Sequence, residues 1–75
     1  MKTGDRVKVV YESDYNKMLI RNGIGSSSIG LTGTIVETRY NSRMAIYGRG
    51  NEVLVRLDND QCVYLFCDVD LLITN

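Results

Sequence analysis

Apolar and polar residues alternate with a period of two through separate short stretches of this chain. From Asp5 to Tyr11, Val7, Val9 and Tyr11 fall on one face and Arg6, Lys8 and Val10 on the other. A second stretch runs from about Gly33 to Tyr40. A third, Glu52 to Leu57, turns Val53, Val55 and Leu57 to one side. Gln61 to Phe66 is a fourth, and Asp70 to Ile73 a short last one. Period two marks strands with one buried face. Between the third and fourth lies Asp58-Asn59-Asp60, residues suited to a turn because Asn and Asp tolerate positive φ. Cys67-Asp68-Val69 reads as a tight helical turn before the last strand. Five short strands, many glycines and no proline predict one mostly β domain spanning 1–75, a small closed barrel. Its core is expected from Val7, Val9, Ile35, Val53, Val55, Leu57, Val63, Leu65 and Leu71.

One segment breaks the pattern. Ser13 is a good N-cap, Asp14 suits a first helical turn, and Tyr15, Met18 and Leu19 stand at i, i+3, i+4. Asn22-Gly23 supplies a stop, so one short helix is predicted near 14–22. A helix that short needs to dock its apolar face on something. Residues 23–30, Gly-Ile-Gly-Ser-Ser-Ser-Ile-Gly, read as a loop, and Asn41 to Asn51 as a long hairpin connection.

Composition narrows the classes of function. Seventy-five residues make one domain with a marginal core. Cys62 and Cys67, five apart, point to opposite faces of a continuous strand, which opposes a disulfide between them. They read as reduced thiols, and the N-terminus lacks the apolar core of a signal peptide, so a cytoplasmic protein is expected. No apolar stretch approaches the roughly 20 residues needed to span a bilayer. Nine basic residues balance nine acidic ones, which opposes general binding of long nucleic acid but not recognition of one or two phosphates.

Four segments carry a resemblance: Gly4-Asp5-Arg6-Val7-Lys8-Val9, Gly30-Leu31-Thr32-Gly33-Thr34-Ile35-Val36, Val55-Arg56-Leu57-Asp58, and Val63-Tyr64-Leu65 with Asp70-Leu71. In that order they resemble the SH3-like small-barrel superfamily, and more narrowly its KOW-type members. The resemblance covers about two-thirds of the chain. It implies a five-stranded, strongly bent barrel, into whose first long loop the residues themselves place one short helix. It implies no single function, because such barrels bind RNA, DNA, peptides and small ligands. The chain departs from the KOW pattern in its longer first loop and in its enlarged 41–51 loop, where a special function would sit.

Catalysis has little to work with. There is no histidine for acid–base work or metal ligation. The pairs Asp58/Asp60 and Asp68/Asp70 read first as turn and cap residues, with a divalent cation as the lesser alternative. No enzymatic activity, cofactor or metal is expected.

The main candidate site is Arg39, Tyr40, Arg43, Tyr47 and Arg49. Arginine makes bidentate phosphate contacts and tyrosine stacks on bases. Tyrosine-rich, glycine-bearing loops serve equally well against proteins, and a solvated hairpin is the plain alternative. The Gly/Ser loop, with Ser26, Ser27 and Ser28, has backbone N–H groups suited to cradling an anion, against a plain flexible connection. Ile20 points away from Met18 and Leu19. With Met44, Ala45 and Ile46 it suggests an apolar patch and hence a homo-oligomer.

Two readings follow. One is a protein that sequesters a small phosphorylated ligand, a nucleotide or cyclic nucleotide, at an interface between subunits. In this respect the chain also resembles accessory proteins of bacterial viruses, some of which sequester nucleotide signals of host defence. The location would then be the host cytoplasm. The other is an adaptor or inhibitor that binds a host protein through the same loops. A KOW-like nucleic-acid-binding module is a third, lowered by the charge balance.

Overall fold

The computed structural model describes residues 1–19, 27–46 and 50–75, apart from the side chains of Tyr15, Met18, Leu19 and Met44. Five strands form: β1 (Arg6–Val9), β2 (Thr32–Tyr40), β3 (Asn51–Leu57), β4 (Val63–Cys67) and β5 (Leu71–Ile73). They make one antiparallel sheet in the order β4-β3-β2-β1-β5. A helix α1 (Asp14–Leu19) sits in the β1–β2 connection. Short 3-10 turns occupy Ser42–Ile46 and Asp68–Asp70. The helical turn expected at Cys67–Val69 is thus present, displaced by one residue.

The sheet bends because β2 carries a bulge. Its pairing to β3 passes from Ile35–Val55 to Glu37–Leu54, leaving Val36 as the extra residue. A bulge adds local twist and re-aims the strand. Gly33 sits in the most crowded part of that strand, opposite both Val7 and Leu57. A Cβ there would stand 2.4 Å from the Arg56 carbonyl oxygen and 2.7 Å from Val55 Cγ1. Only glycine lets the neighbouring backbone come that close.

The core is one cluster: Val7, Val9, Ile35, Val53, Val55, Leu57, Phe66 and Leu71. Val7 and Val9 lie three places from Phe66 in the strand order, yet they share that cluster. The sheet therefore curls and buries its own concave face. It does not close: β4 and β5 remain the two edges of the ladder, so the expected closed barrel is an open, curled sheet.

Two core expectations are corrected. Val63 is exposed and Leu65 only half-buried, while Phe66 is fully buried. Strand β4 is apolar at every position, so alternation carries no phase. The register supplies it: Phe66 faces Val53 and Tyr64 faces Val55, which turns Val63 and Leu65 outward with Arg56 and Leu54. Tyr11, on the same sequence face as Val7 and Val9, lies beyond the end of β1 and is exposed.

Helix α1 starts where expected. Ser13 accepts the Asn16 N–H at its Oγ, 3.2 Å, and the Lys17 N–H at its carbonyl, 2.9 Å. Ile20 and the Asn22-Gly23 stop lie outside the described residues, as do the side chains of the expected apolar face. The helix packs against β4. Ser13 also reaches the other edge: its N–H and Oγ donate to Asp70 Oδ1 and Oδ2 at 2.9 and 3.0 Å. Asp70 Oδ2 takes the Cys67 N–H as well, and its carbonyl accepts from Val10 at 2.8 Å. One buried carboxylate thus ties the β1–β2 connection to the corner between β4 and β5.

Truncating Leu57 to alanine is expected to cost about 2–5 kcal/mol. Gly33→Ala should also destabilise clearly, because its Cβ meets backbone rather than a movable side chain. Val63→Ala should stay near 0.5 kcal/mol, the scale of a surface change. Urea unfolding of the three variants checks the order.

Candidate functional site

β1 pairs with β2 only through Thr34, whereas β2 runs on to Tyr40 beside β3. The far end of that hairpin therefore projects past the core, and the predicted site residues Arg39, Tyr40 and Arg43 lie there. The pleat divides them. Thr38 and Tyr40 share one face with their partners Val53 and Asn51, and Glu37, Arg39 and Glu52 share the other.

On the second face Arg39 Nε donates to Glu52 Oε2, and its NH1 lies 3.5 Å from Glu37 Oε2. Asn41 Nδ2 donates to Glu52 Oε1. The Asn41 amide, and next the Arg39 guanidinium, hold the Glu52 carboxyl below its ordinary range. Asn41 also shapes the connection. Its N–H donates to the Gly50 carbonyl at 2.6 Å, and its Oδ1 accepts the Arg43 N–H at 3.0 Å, which starts the turn Ser42–Ile46. That turn leaves Arg43, Ala45 and Ile46 exposed. The Tyr40 ring lies across Gly50, whose φ is +82°; a Cβ there would come within 2.7 Å of the ring.

On the first face is a groove of about 180 Å³ lined by Met1, Thr38, Asn51, Val53 and Asp68. Val53 is buried in the core, and Asp68 is only 4% exposed, with Asn51 Nδ2 donating to its Oδ2 at 3.0 Å. The sequence reading did not single out Thr38, Asn41, Asn51 or Glu52 for this end, and it read Asp68 as a cap. The one available signal was the strand period, which puts Thr38 and Tyr40 on a common face.

Of the predicted site residues, Arg39, Tyr40 and Arg43 come together here. Tyr47, Arg49 and Ser26 lie outside the described residues. Ser27 and Ser28 belong to the β1–β2 connection and are engaged there. Ser27 Oγ and the Ser28 N–H both donate to Glu12 Oε1. Ser28 is buried, and its hydroxyl donates to Asn16 Oδ1 at 3.0 Å. A carboxylate thus already occupies donors that an anion would use.

The acidic pairs do structural work. Arg6 grips Asp58 with two nitrogens, and Thr32 Oγ1 adds a bond of 2.8 Å, which draws the Asp58 carboxyl down to about 2. Asp60 accepts from the Tyr64 hydroxyl at 2.6 Å and the Cys62 N–H at 2.9 Å. That bond pushes the Tyr64 phenol up to about 12. Burial pushes the Cys67 thiol up to about 11, which leaves little reactive thiolate. Burial likewise raises the Asp70 carboxyl, against the bonds from Ser13 and Cys67.

The pH dependence follows from these directions. Asp58 titrates lower in the folded chain than in the unfolded one, so its contribution is present above its ordinary value of 3.8 and fades as pH falls toward about 2. Asp70 has the opposite sign: its raised carboxyl favours the folded state at low pH, and that contribution is lost as pH rises. Thermal melts between pH 6 and 2 should therefore show Asp58→Asn flattening the acid limb below pH 4, and Asp70→Asn steepening it.

Compared with protein-family models, with curated protein sequences and with solved structures, the chain matches none.

Proposed function

We propose that this chain is a non-enzymatic binding module on an SH3-like small barrel, and that it meets a protein partner through the β2–β3 end. The strand order and the bend at Val36 support the SH3-like reading, on a sheet that curls without closing. The single observation that carries the binding reading is exposure at that end. Ile46 is 81% and Tyr40 69% exposed, the two most exposed large apolar side chains among the described residues. The exposed Arg43 lies on the same connection. Aromatic and aliphatic anchors beside an arginine are the composition of protein contact surfaces.

Charge favours a protein over a phosphorylated ligand as the first choice. Arg39 is paired with Glu37 and Glu52, so a phosphate approaching it meets two carboxylates. Sequestration of a nucleotide or cyclic nucleotide between subunits stands as the second reading. It is favoured by Arg43 and Tyr40, an exposed cation beside an exposed ring, with Ile46 as the apolar contact between copies. The absence of histidine from the sequence supports a non-catalytic role. The cytoplasm is the proposed location, and among the described residues no helix is long and apolar enough to cross a membrane.

Immobilised protein should capture a partner from host lysate, and Ile46→Asp or Tyr40→Ala should lose that capture at least tenfold with an unchanged melting temperature. Calorimetry with mono-, di- and cyclic nucleotides runs beside it, with sedimentation to read the oligomeric state. Nucleotide heat that Arg43→Ala abolishes, in an oligomer, selects the second reading. Capture that survives all three variants overturns the choice of surface.

A further inference from the structure

We propose that the outer edge of β5 is a second docking surface, where an extended segment of another protein adds to the sheet, a segment that alternates aliphatic and acidic residues. In the strand order β1 and β2 separate this edge from β3, so it goes beyond the β2–β3 end considered above.

The main chain makes the first case. The Val10 N–H donates to the Asp70 carbonyl and the Thr74 N–H to the Arg6 carbonyl, both at 2.8 Å, and Lys8 pairs with Leu72. In an antiparallel ladder every second residue bonds across, so Leu72 and Thr74 turn their backbone groups to β1, and Leu71 and Ile73 turn theirs outward. The Leu71 N–H folds back to the Asp68 carbonyl. The Leu71 carbonyl and both backbone groups of Ile73 have no partner among the described residues. They form a short row of acceptor, donor and acceptor that an added strand can pair with.

This edge is also unguarded. Leu71-Leu72-Ile73 holds no charge and no proline, the residues that ordinarily block an edge. Leu72 is 56% and Ile73 44% exposed. The opposite edge is better attended: α1 packs against β4, and Asp70 takes the Cys67 N–H.

The side chains say what the added strand carries. Ile73 pairs with the core residue Val7, so it sits on the inner face at the rim of the core and calls for an aliphatic neighbour. Leu72 lies on the outer face beside Lys8, which is exposed and has no ion pair among the described residues. An added strand would lie two strand spacings from Lys8, about 9–10 Å. Arg6 already reaches that far on the same sheet, crossing β2 to Asp58. A glutamate on the outer face would therefore cover Leu72 with its methylenes and meet the Lys8 ammonium with its carboxylate. Charge disfavours β5 of a second copy as the occupant. Two-fold pairing there would set two Lys8 side chains on one face with only leucines between them.

The test uses the whole chain and three eight-residue peptides: valine alternating with glutamate, valine alternating with lysine, and the first peptide with its central backbone nitrogens methylated. Hydrogen exchange at the Ile73 amide, read by NMR, is the direct signal. The glutamate peptide should slow that exchange at least tenfold and bind at least fivefold tighter than the lysine peptide. The methylated peptide should not bind. Lys8→Glu, a surface change that should leave the melting temperature alone, should reverse the preference between glutamate and lysine. Unchanged exchange at Ile73 with the glutamate peptide overturns the strand addition, and so does equal binding of the methylated peptide. Equal binding of the glutamate and lysine peptides overturns the acidic partner. Protection of Ile73 that grows with protein concentration alone, beside a dimer in sedimentation, assigns the edge to a second copy and overturns the proposal. The peptides address neither Tyr40 nor Ile46, so this surface and the β2–β3 end stand or fall separately.

Discussion

The curled sheet depends on one buried carboxylate. Asp70 accepts from the Ser13 backbone, the Ser13 hydroxyl and the Cys67 backbone, and its carbonyl takes the Val10 N–H. Those bonds join three segments that no strand ladder connects: the start of the α1 loop, the end of β4 and the start of β5. An open sheet of five strands has two bare edges, and in this chain the hydrogen-bond ladder does not bring them together. The three-residue turn Asp68–Asp70 links β4 to β5 along the chain, and the Asp70 side chain fastens that turn to the β1–β2 connection. A donor left without its acceptor in so dry a place costs about 1–3 kcal/mol, so the network holds as a unit or not at all. It extends through Ser13 to Asn16, from Asn16 to Ser28, and from Ser28 to Glu12, and no buried side-chain polar atom among the described residues lacks a partner.

The same curl makes the candidate site. β1 leaves β2 after Thr34, and the bulge at Val36 turns the rest of the hairpin away. Past that point β3, the Asp68 turn and Met1 flank the concave face, and a groove opens over Val53. The site is thus a by-product of where one strand stops. Asn41 then fixes the connection by bonding to both of its ends, through Gly50 and Arg43.

Charge in this protein is spent locally. Arg6 closes on Asp58 across β1 and the β3–β4 turn, and Arg39 closes on Glu52 across β2 and β3. Both pairs are wholly or partly exposed, and exposed pairs contribute little stability. Their larger consequence is for recognition, because they remove cations that phosphates would otherwise meet.

What the sequence determined is what depends on neighbours along the chain. Alternation, and for β4 an apolar run bounded by turn residues, placed strands at all five positions; Ser13 marked the helix start; Asp58-Asn59-Asp60 marked the hairpin turn. Core positions with a clear period, such as Val53, Val55 and Leu57, were readable for the same reason. What only tertiary structure decided is whatever needs two distant segments. The phase of the uniformly apolar β4 came from its register on β3. The partners of Asp70, 57 positions from Ser13, came from the curl. The closure expected from strand count gave way to an open ladder whose edge strands are joined by the turn Asp68–Asp70. Of the candidate site, the common placement of Arg39, Tyr40 and Arg43 at one hairpin end was legible, because residues near in sequence stay near on one hairpin. Its groove was not, because Thr38, Asn51 and Asp68 meet only when β2, β3 and the turn after β4 pack together. Period and propensity describe faces of elements; a concave wall exists only after the faces have met.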